Sequence, residues 1–533
     1  MLRKKFKKII ALILTALTLF SVCSLAVSAA AETKKAYPVI YITGYGTPLF
    51  VDKNNYGSDK IYPTGVDVGE RVKEALIPCL IELGIGSITD NYNKYCDELY
   101  NAVAPIYDDL RLNPDGTVKD NSGRKHNLNN IRLDSNRFTG GELYLWYDWR
   151  LSPTTLAEDV HALVEKLAAK HGKVNIIGRC FGANILSAYL DKYVANGGND
   201  ADKIDKAVYF IPSTEGIGLI GSLFSGKIDI SAENITVFID ELVKYMDIIE
   251  DATIKDFIQI VLSVFEQASM LNVAADTLQE IIDNIKGNLI PRLVRDTYGS
   301  FPSFWSMVPD EYLSDALEFV YNTDELKETY AGTIKLIEEY RTIQQNSRKQ
   351  IADLSDEIDF YVISKYNLPS VPIFGETNPC SDAVAETELT SFGATTADFG
   401  TTLGQSYIAK MDEADKKFLS ADEKIDASTC LLPETTWFLK NSYHDHFTDA
   451  HHDLINRILS TDGMTVFTEE EYPQFLDCMI TDESFTPVTT KDSDRLSINS
   501  DKGKFVFLFN FVEFVINIFF KVIEKFSHSN KIV

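Results

Sequence analysis

The chain is poor in cysteine and in basic residues, and both shortages exclude certain classes of protein. Its 7 cysteines are scattered over 533 residues without any Cys-x-x-Cys spacing, which argues against a zinc knuckle and a dense disulfide scaffold. Lysine and arginine number 51 against 78 acidic residues, and the net charge of −27 argues against nucleic-acid binding. Hydrophobic residues make up 45% of the chain, enough for one large domain with insertions or for two domains.

The amino terminus has the pattern of an export signal. A basic cluster at residues 3–8 precedes an apolar run at 9–27, and the small residues at 29–31 suit cleavage after Ala31. We therefore predict a signal peptide over residues 1–31 and a secreted protein, either released or associated with the cell surface.

A strand pattern at residues 174–177 leads into Gly-x-Cys-x-Gly, and a helical pattern follows at once. This strand, sharp turn and helix form the context that a nucleophile elbow requires. We interpret Gly178 and Gly182 as the elbow glycines, because side chains at these positions would collide with the neighbouring strand and helix. Cys180 stands at the centre, where serine is usual, and its thiolate would be the better nucleophile. The alternative is a buried structural cysteine after a core strand.

Strand and helix patterns alternate from residue 37 to residue 212 and resume near residue 359, which favours an α/β fold with a mostly parallel sheet covered on both faces. The intervening block is helical with mixed charges, and it indicates a cap or lid, or else an independent helical domain. The predicted organisation is a signal peptide (1–31), a first core part (32–214), a helical cap (215–358), a second core part (359–479), a linker (480–503) and an amphipathic helix (504–526).

The tail at residues 505–526 is aromatic and aliphatic, with polar residues on one narrow helical stripe. A glutamate near its middle argues against a membrane-spanning helix. We expect it to lie on a membrane surface or against a partner helix, with packing on the protein's own core as the alternative.

An acyl-transfer triad on this kind of fold follows the chain order nucleophile, acid, histidine. Cys180 is followed by Asp422, in a polar loop after a late strand, and by His444, directly beyond the last strand. We predict these three as the triad, with Asp426 and His446 as alternatives. The acid would orient the imidazole, which would activate the thiol.

The Gly-Tyr-Gly turn at residues 44–46 follows another predicted strand. Its backbone could form an oxyanion hole, and we predict the N–H groups of Tyr45 and Phe181 as donors. Histidines at 444, 446, 451 and 452 also fit a metal site, but the sequence contains neither His-Glu-x-x-His nor paired cysteines to support it. We therefore predict no metal and no cofactor.

Four segments together resemble the lecithin:cholesterol acyltransferase-like branch of the α/β-hydrolases. They are residues 42–46, Tyr-Asp-Trp-Arg-Leu-Ser-Pro at 147–153, the elbow, and Phe-Pro-Ser-Phe-Trp at 301–305 before Pro309. The Tyr-Asp-Trp-Arg part is the most specific, and the resemblance covers roughly residues 37–459. It implies an α/β-hydrolase fold with a cap that admits a long acyl chain, lipid or ester substrates, and acyl transfer to water or an alcohol.

The resemblance also bears on individual residues. It implies Tyr45 as the oxyanion-hole residue and an acid in an Asp-Gly-x-Val type of loop. The stretch at 422–425 keeps the spacing from aspartate to aliphatic residue but lacks the glycine, so Asp422 is preferred to Asp426. Two departures are Cys180 in place of serine and Arg179 where histidine is common.

Taken together, these patterns predict a secreted esterase, lipase or acyltransferase that works through a covalent acyl-cysteine intermediate. A second hypothesis is a catalytically silent α/β-hydrolase scaffold that binds a surface through its tail helix. A third is a peptidase on the same fold, for which the sequence contains no peptide-binding signature.

Overall fold

The computed structural model describes residues 36–62, 82, 89, 91, 93–129, 131–134, 137–227, 229–230, 287–370, 374–375, 378–444, 446–479 and 484–489. The predicted signal peptide and the predicted tail helix therefore lie outside the described residues, as does most of the predicted linker.

The described chain alternates between strands and helices. The strands are β1 (Val39–Ile42), β2 (Leu49–Phe50), β3 (Lys60–Tyr62), β4 (Glu142–Leu145), β5 (Val174–Arg179), β6 (Ile204–Phe210), β7 (Asp229–Ile230), β8 (Asp359–Tyr366), β9 (Leu368–Pro369), β10 (Phe374–Gly375), β11 (Cys380–Ser381), β12 (Thr395–Thr396), β13 (Ile425–Asp426), β14 (Thr436–Lys440), β15 (Phe475–Met479) and β16 (Ser484–Pro487). The α-helices are α1 (Asn93–Val103), α2 (Pro153–His171), α3 (Phe181–Tyr189), α4 (Gly218–Ser225), α5 (Ile290–Asp296), α6 (Pro302–Trp305), α7 (Asp310–Val320), α8 (Asp324–Thr329), α9 (Ala331–Leu354), α10 (Thr387–Thr390), α11 (Gln405–Ile408) and α12 (Asp449–Ser460). A π-helical turn at Leu190–Val194 extends α3.

The main sheet of the described chain has eight strands in the order β16-β15-β14-β8-β6-β5-β1-β4. All neighbouring pairs are parallel except β15 and β16, which are antiparallel. The predicted α/β fold with a mostly parallel sheet is thereby confirmed.

Both faces of this sheet are covered, as parallel strands with continuous apolar runs require. Along β1, Ile40 and Ile42 face one core, and Val39 and Tyr41 face the other. The first core includes apolar residues of α2, α3 and α9, and the second includes residues of α12. The helices thus form one layer on each side of the sheet.

The order of the strands also locates a crevice. From β1 the chain passes to β4 on one side and then returns to β5 on the other side of β1. The loops that follow β1 and β5 therefore diverge, and ligands of open α/β sheets bind where strand order reverses in this way. The Gly-Tyr-Gly turn follows β1 and Cys180 follows β5, so both lie at this crevice.

Two segments make contacts that the sequence prediction did not include. Helix α9, assigned to the cap, packs on α2 and α3 and contributes Ile337, Ile343 and Ile351 to the same apolar core, which also includes Leu313 of α7. The beginning of the predicted linker pairs as β16 with β15, so the sheet continues past residue 479. In both places, contacts distant in sequence decide the structure.

Candidate active site

Cys180 occupies a strained turn between β5 and α3. Its backbone has φ 51° and ψ −124°, a conformation that costs a non-glycine residue free energy unless its surroundings impose it. Its N–H donates to Phe210 O (3.0 Å), and its own carbonyl accepts from the N–H groups of Ala183 (2.9 Å) and Ser213 (3.4 Å). The thiol therefore lies, partly exposed, at the positive end of a helix.

The two elbow glycines, Gly178 and Gly182, have the steric role that the sequence predicts. A Cβ on Gly182 would lie 2.2 Å from Ile42 O, at the end of β1, and one on Gly178 would lie 2.7 Å from Ala183 Cα, in α3. Gly182 itself lies in the first turn of α3, fully covered, so it is a packing glycine and takes no part in the chemistry. Gly44, in the loop after β1, is also tightly packed, because a Cβ there would lie 3.1 Å from the Cβ of Cys180. The predicted oxyanion loop therefore packs directly against the predicted nucleophile.

His444 follows β14 and is buried, with 6% of its surface exposed. Its Nδ1 lies 2.7 Å from Oδ2 of Asp382, and its N–H donates to Asp382 O (3.1 Å). Burial lowers the pKa of His444, but the Asp382 carboxylate and the Cys180 sulfur raise it by more, so the pKa lies well above its usual value. Within the described chain, Nε2 makes no hydrogen bond, and the Cys180 sulfur is close enough to contribute to the raised pKa of the imidazole. This arrangement suits proton exchange with Cys180.

The acid beside the histidine is Asp382, not the predicted Asp422. The carboxylate of Asp422 lies 2.9 Å from Nζ of buried Lys440 and accepts a 3.2 Å hydrogen bond from the Tyr366 hydroxyl. It is thus paired with a lysine on β14 instead of the imidazole. The structure therefore does not bring Asp422, the predicted triad acid, to His444, and the ion pair that holds Asp422 joins two elements whose contact no local pattern indicates.

The environment of Asp382 suits a carboxylate that orients a histidine. Its Oδ1 accepts from the N–H groups of Val384 (3.0 Å) and Ala385 (2.8 Å). Burial raises the pKa of Asp382, but the charge and hydrogen bond of His444 and the N–H of Ala385 outweigh it, so the pKa lies below its usual value. The group remains ionised beside the imidazole.

The sequence around Asp382 contains no clear signal for this role. Ala383 and Glu423, the residues after the two aspartates, both have a left-handed backbone (φ 76° and 57°), so this conformation does not separate the two loops. Val384 lies two positions after Asp382, whereas the stretch at 422–425 keeps the spacing of Asp-Gly-x-Val.

The predicted alternatives have other partners. Asp426 accepts from the Tyr407 hydroxyl (2.8 Å) and caps a 3₁₀ turn through the N–H of Ser428 (2.9 Å). Nδ1 of His446 lies 3.7 Å from Cys478 Sγ. The contacts of these two residues thus lie with partners other than the Nδ1 of His444, which Asp382 occupies.

The Tyr-Asp-Trp-Arg segment after β4 fixes the loop that carries Tyr45. The Tyr147 hydroxyl donates to Thr43 O and to Gly44 O (3.2 Å), and the Trp149 indole N–H donates to Thr47 O (2.8 Å). These bonds hold the backbone on both sides of the predicted oxyanion-hole N–H. The other donor, Phe181 N–H, belongs to the first turn of α3, where helix geometry leaves it without an intrahelical acceptor.

The charged residues of the same segment form a buried ion pair. Nη2 of Arg150 lies 2.7 Å from Oδ2 of Asp148, and its Nη1 donates to Leu110 O (3.0 Å). Both side chains are almost fully buried. The pair thus joins the segment to the loop that follows α1 and fixes the orientation of Tyr147 and Trp149.

An aromatic wall extends from the elbow. The ring of Tyr45 packs on Phe181 (centroids 4.8 Å apart) and on Phe304 (4.8 Å), and Phe304 packs on Tyr298 (4.6 Å). Phe304 belongs to the Phe-Pro-Ser-Phe-Trp segment, so this part of the resemblance packs on Tyr45, whose turn lies against Cys180. An aromatic cluster therefore adjoins the turn that packs on the nucleophile.

Cys180 differs from the other described cysteines in exposure. Cys96, Cys380, Cys430 and Cys478 are buried, and none of the five described cysteines is disulfide-bonded. Burial raises the pKa of all four buried thiols, to about 11 for Cys96 and Cys430. At neutral pH burial therefore favours the protonated form of these four thiols, which is the weaker nucleophile.

The metal alternative finds no support at the histidines that suggested it. Within the described chain, the group with metal-binding spacing is His161, Glu165 and Asp200 instead. The Lys203 ammonium already bonds both carboxylates there, and the Tyr189 hydroxyl donates to Asp200 (3.0 Å). The cluster is thus a network of ion pairs and hydrogen bonds.

We compared the chain with models of known protein families and with curated proteins, and neither comparison found a match. No helix in the described part of the chain has both the length and the apolar character needed to cross a membrane.

Proposed function

We propose that the protein is a secreted α/β-hydrolase that cleaves or transfers acyl groups of lipid-like esters through a covalent acyl-Cys180 intermediate. The observation that supports this most strongly is the arrangement of Cys180, His444 and Asp382. A partly exposed thiol lies on a strained turn at a helix N-terminus, beside an imidazole that a buried carboxylate orients.

In the proposed acylation step, the Cys180 sulfur attacks the acyl carbon and its proton passes to Nε2 of His444. The backbone N–H groups of Tyr45 and Phe181 stabilise the tetrahedral oxyanion, each by about 3 kcal/mol. The intermediate collapses to a thioester as the C–O bond to the leaving group breaks, and His444 protonates the departing alkoxide.

Deacylation runs through the same groups in reverse. Water or an alcohol attacks the thioester carbon while His444 accepts its proton. The C–S bond then breaks, and Cys180 recovers its proton from the imidazolium. The products are an acid or a new ester and free enzyme, and no metal or cofactor enters the proposed steps.

Three features support the substrate class. The aromatic wall formed by Tyr45, Phe304 and Tyr298 adjoins the turn that packs on Cys180 and is the proposed apolar surface for an acyl chain. The segments that resemble the lecithin:cholesterol acyltransferase-like branch lie around Cys180. The export pattern of residues 1–31 and the net charge of −27 favour an extracellular site of action, and the tail at 505–526 is the proposed contact with a membrane surface or partner helix.

The test is turnover of p-nitrophenyl esters and acyl thioesters of increasing chain length by protein lacking residues 1–31. We expect hydrolysis that Cys180→Ala and His444→Ala abolish while both variants remain folded. Both kinds of donor give the same acyl-Cys180, so a slow deacylation step predicts equal turnover of a p-nitrophenyl ester and an acyl thioester of the same chain length, whereas a slow acylation step predicts turnover that depends on the leaving group. A folded wild-type protein that turns over no donor would contradict the proposal and favour the silent scaffold.

A further inference from the structure

The peptide groups around His444 are held from several directions. The N–H of His444 donates to Asp382 O. Its carbonyl oxygen accepts from Nη2 of Arg179 (3.4 Å) and lies 3.3 Å from Nζ of Lys365. Arg179 immediately precedes the nucleophile, and Lys365 lies at the carboxyl end of β8. Two cations from different strands therefore meet at the backbone of one histidine.

Lys365 also binds two other residues of the loop that carries this histidine. Its Nζ also donates to Tyr443 O (2.6 Å) and to His446 O (2.6 Å). The residue is fully buried, which is rare for lysine because removing an ammonium from water is costly without compensating hydrogen bonds. Those carbonyl groups belong to the loop between β14 and α12, so Lys365 fixes this loop in addition to the contacts with Asp382 and Arg179.

Strand alternation explains why Lys365 reaches this loop. Tyr361 and Ile363 belong to the core that α12 covers, and Lys365, two residues further along β8, points to the same face. Its neighbour Tyr366 points to the opposite face, where it contacts Asp422. Lys365 thus lies beneath the start of α12, where the histidine loop crosses the end of the sheet.

We propose that Lys365, together with Arg179, is a positioning residue that fixes the His444 loop so that the imidazole spans Asp382 and Cys180. This inference rests on the proposed function, in which His444 moves protons on both sides of the thioester. Neither cation touches the reacting atoms. Each acts through the backbone carbonyl of His444, and the role explains why arginine stands before the nucleophile.

The rate of the proposed reaction depends on how precisely the His444 imidazole is positioned. A displacement of about 1 Å in a reacting group can cost on the order of 10²-fold in rate. The contact between His444 Nδ1 and Asp382 Oδ2 is 2.7 Å, and it joins residues 62 positions apart in the chain. A loop that loses its lysine would loosen this contact first.

The chain offers a matched control in Lys206. It is also fully buried, it lies on β6, and its Nζ donates to Ile458 O (2.7 Å) and to Thr461 O (2.5 Å) at the end of α12. Lys206 and Lys365 therefore bind backbone carbonyls at opposite ends of the same helix. Of the two lysines, Lys365 is the one with Nζ hydrogen bonds to carbonyl groups of the histidine loop.

The experiment compares Lys365→Met with Lys206→Met in otherwise intact secreted protein. The first readout is the strongly deshielded Nδ1 proton of His444 in the proton NMR spectrum, assigned by its absence in His444→Ala. The second is kcat against KM on the best ester. We expect Lys365→Met to lose the resonance and about 10- to 100-fold in kcat with little change in KM. Lys206→Met should lower Tm comparably yet keep both readouts.

Arg179→Met serves as a second variant if Lys365→Met does not fold, since Arg179 is partly exposed and contacts the same carbonyl. It should broaden or weaken the same resonance and lower kcat. The inference is overturned if a folded Lys365→Met or Arg179→Met variant keeps the resonance and kcat, or if Lys206→Met loses both equally. The resonance needs no substrate, so a wild type that shows it without turnover refutes the proposed function alone.

Discussion

Asp382 and Asp422 are both buried carboxylates, and the cation that each one faces separates their roles. Asp382 lies against the imidazole of His444, and Asp422 lies against the ammonium of Lys440. A carboxylate beside an imidazole fixes its tautomer, whereas one beside a buried lysine neutralises a charge that would otherwise be unpaired. The two residues should therefore respond differently to the same substitution.

We expect Asp382→Asn to lower kcat by about 10²- to 10⁴-fold with little loss of stability, because the amide supports the wrong tautomer. Asp422→Asn should instead destabilise the fold by about 3–5 kcal/mol, because Lys440 stays buried without its counter-ion. Chemical denaturation and the rate of p-nitrophenol release measure the two effects. An Asp422→Asn variant that is stable but inactive would restore Asp422 as the triad acid.

At this scale the sequence predicts part of the site. Cys180 is recognisable because the elbow is local, and His444 because it directly follows the last predicted strand. Asp382 is not recognisable in the same way, because its contact with His444 spans 62 positions. The loops that carry Asp382 and Asp422 both follow predicted strands, so local pattern does not choose between them. The two aspartates are distinguished by Lys440, the buried lysine that pairs with Asp422. The burial of Lys440 depends on how β14 pairs with β8.

The pairing of strands explains how the Tyr-Asp-Trp-Arg segment after β4 comes close to the Cys180 turn although the two are distant in sequence. Strand β1 pairs with both β4 and β5, and its register places Ile42 level with Gly178. The turn after β1 consequently abuts Cys180, and the segment after β4 lies on its other side. Tyr147 and Trp149 then hold that turn through its carbonyl groups.

Removing one of these bonds should slow the chemistry without weakening binding. We expect Tyr147→Phe to lower kcat about 10-fold, because the turn that carries the Tyr45 N–H loses its hydroxyl donor, and KM should change little. Tyr209→Phe is the control, since that buried hydroxyl pairs with Ser187 (3.1 Å) instead of with the turn. Equal losses from both substitutions would indicate a general packing effect.

The periodicity of the sequence predicts many of these elements closely. The strand predicted at 174–177 appears within two residues of its predicted bounds as β5, and the last predicted strand before His444 appears as β14. Helix α2 is similarly clear because Ser152 caps it, Pro153 begins it and Gly172 ends it. Strand order, by contrast, depends on contacts between elements, which periodicity does not contain.

At the scale of the whole molecule, Glu386 links the acid loop to the helix that follows β6. Its Oε2 accepts from Gly218 N–H (2.9 Å), and a Cβ at position 218 would lie 2.5 Å from its Oε1. Burial, partly opposed by hydrogen bonds from backbone N–H groups, raises the pKa of Glu386 to about 7, and the charges of Asp382 and Glu311 add to the rise. The Glu386 carboxyl, which forms this link, therefore titrates near neutral pH.

This shift predicts a stability that falls as pH rises. The folded state holds a proton that the unfolded chain releases near pH 4.5, so the contribution is complete below that pH and is lost as pH rises through about 7. Glu386→Gln lacks the titration and should gain up to about 3 kcal/mol relative to wild type between pH 4.5 and pH 8. Thermal melts across this range test it, and a pH-independent difference would contradict it.

The most decisive measurement is acyl trapping on the whole protein. Protein lacking residues 1–31 would be mixed with a p-nitrophenyl ester, quenched in acid and analysed by intact mass and peptide mapping. We predict one acyl group, attached to Cys180 and absent from His444→Ala, because the other described thiols are buried with raised pKa values. A folded wild type that acquires no adduct, or an adduct that persists in Cys180→Ala, would contradict covalent catalysis by Cys180.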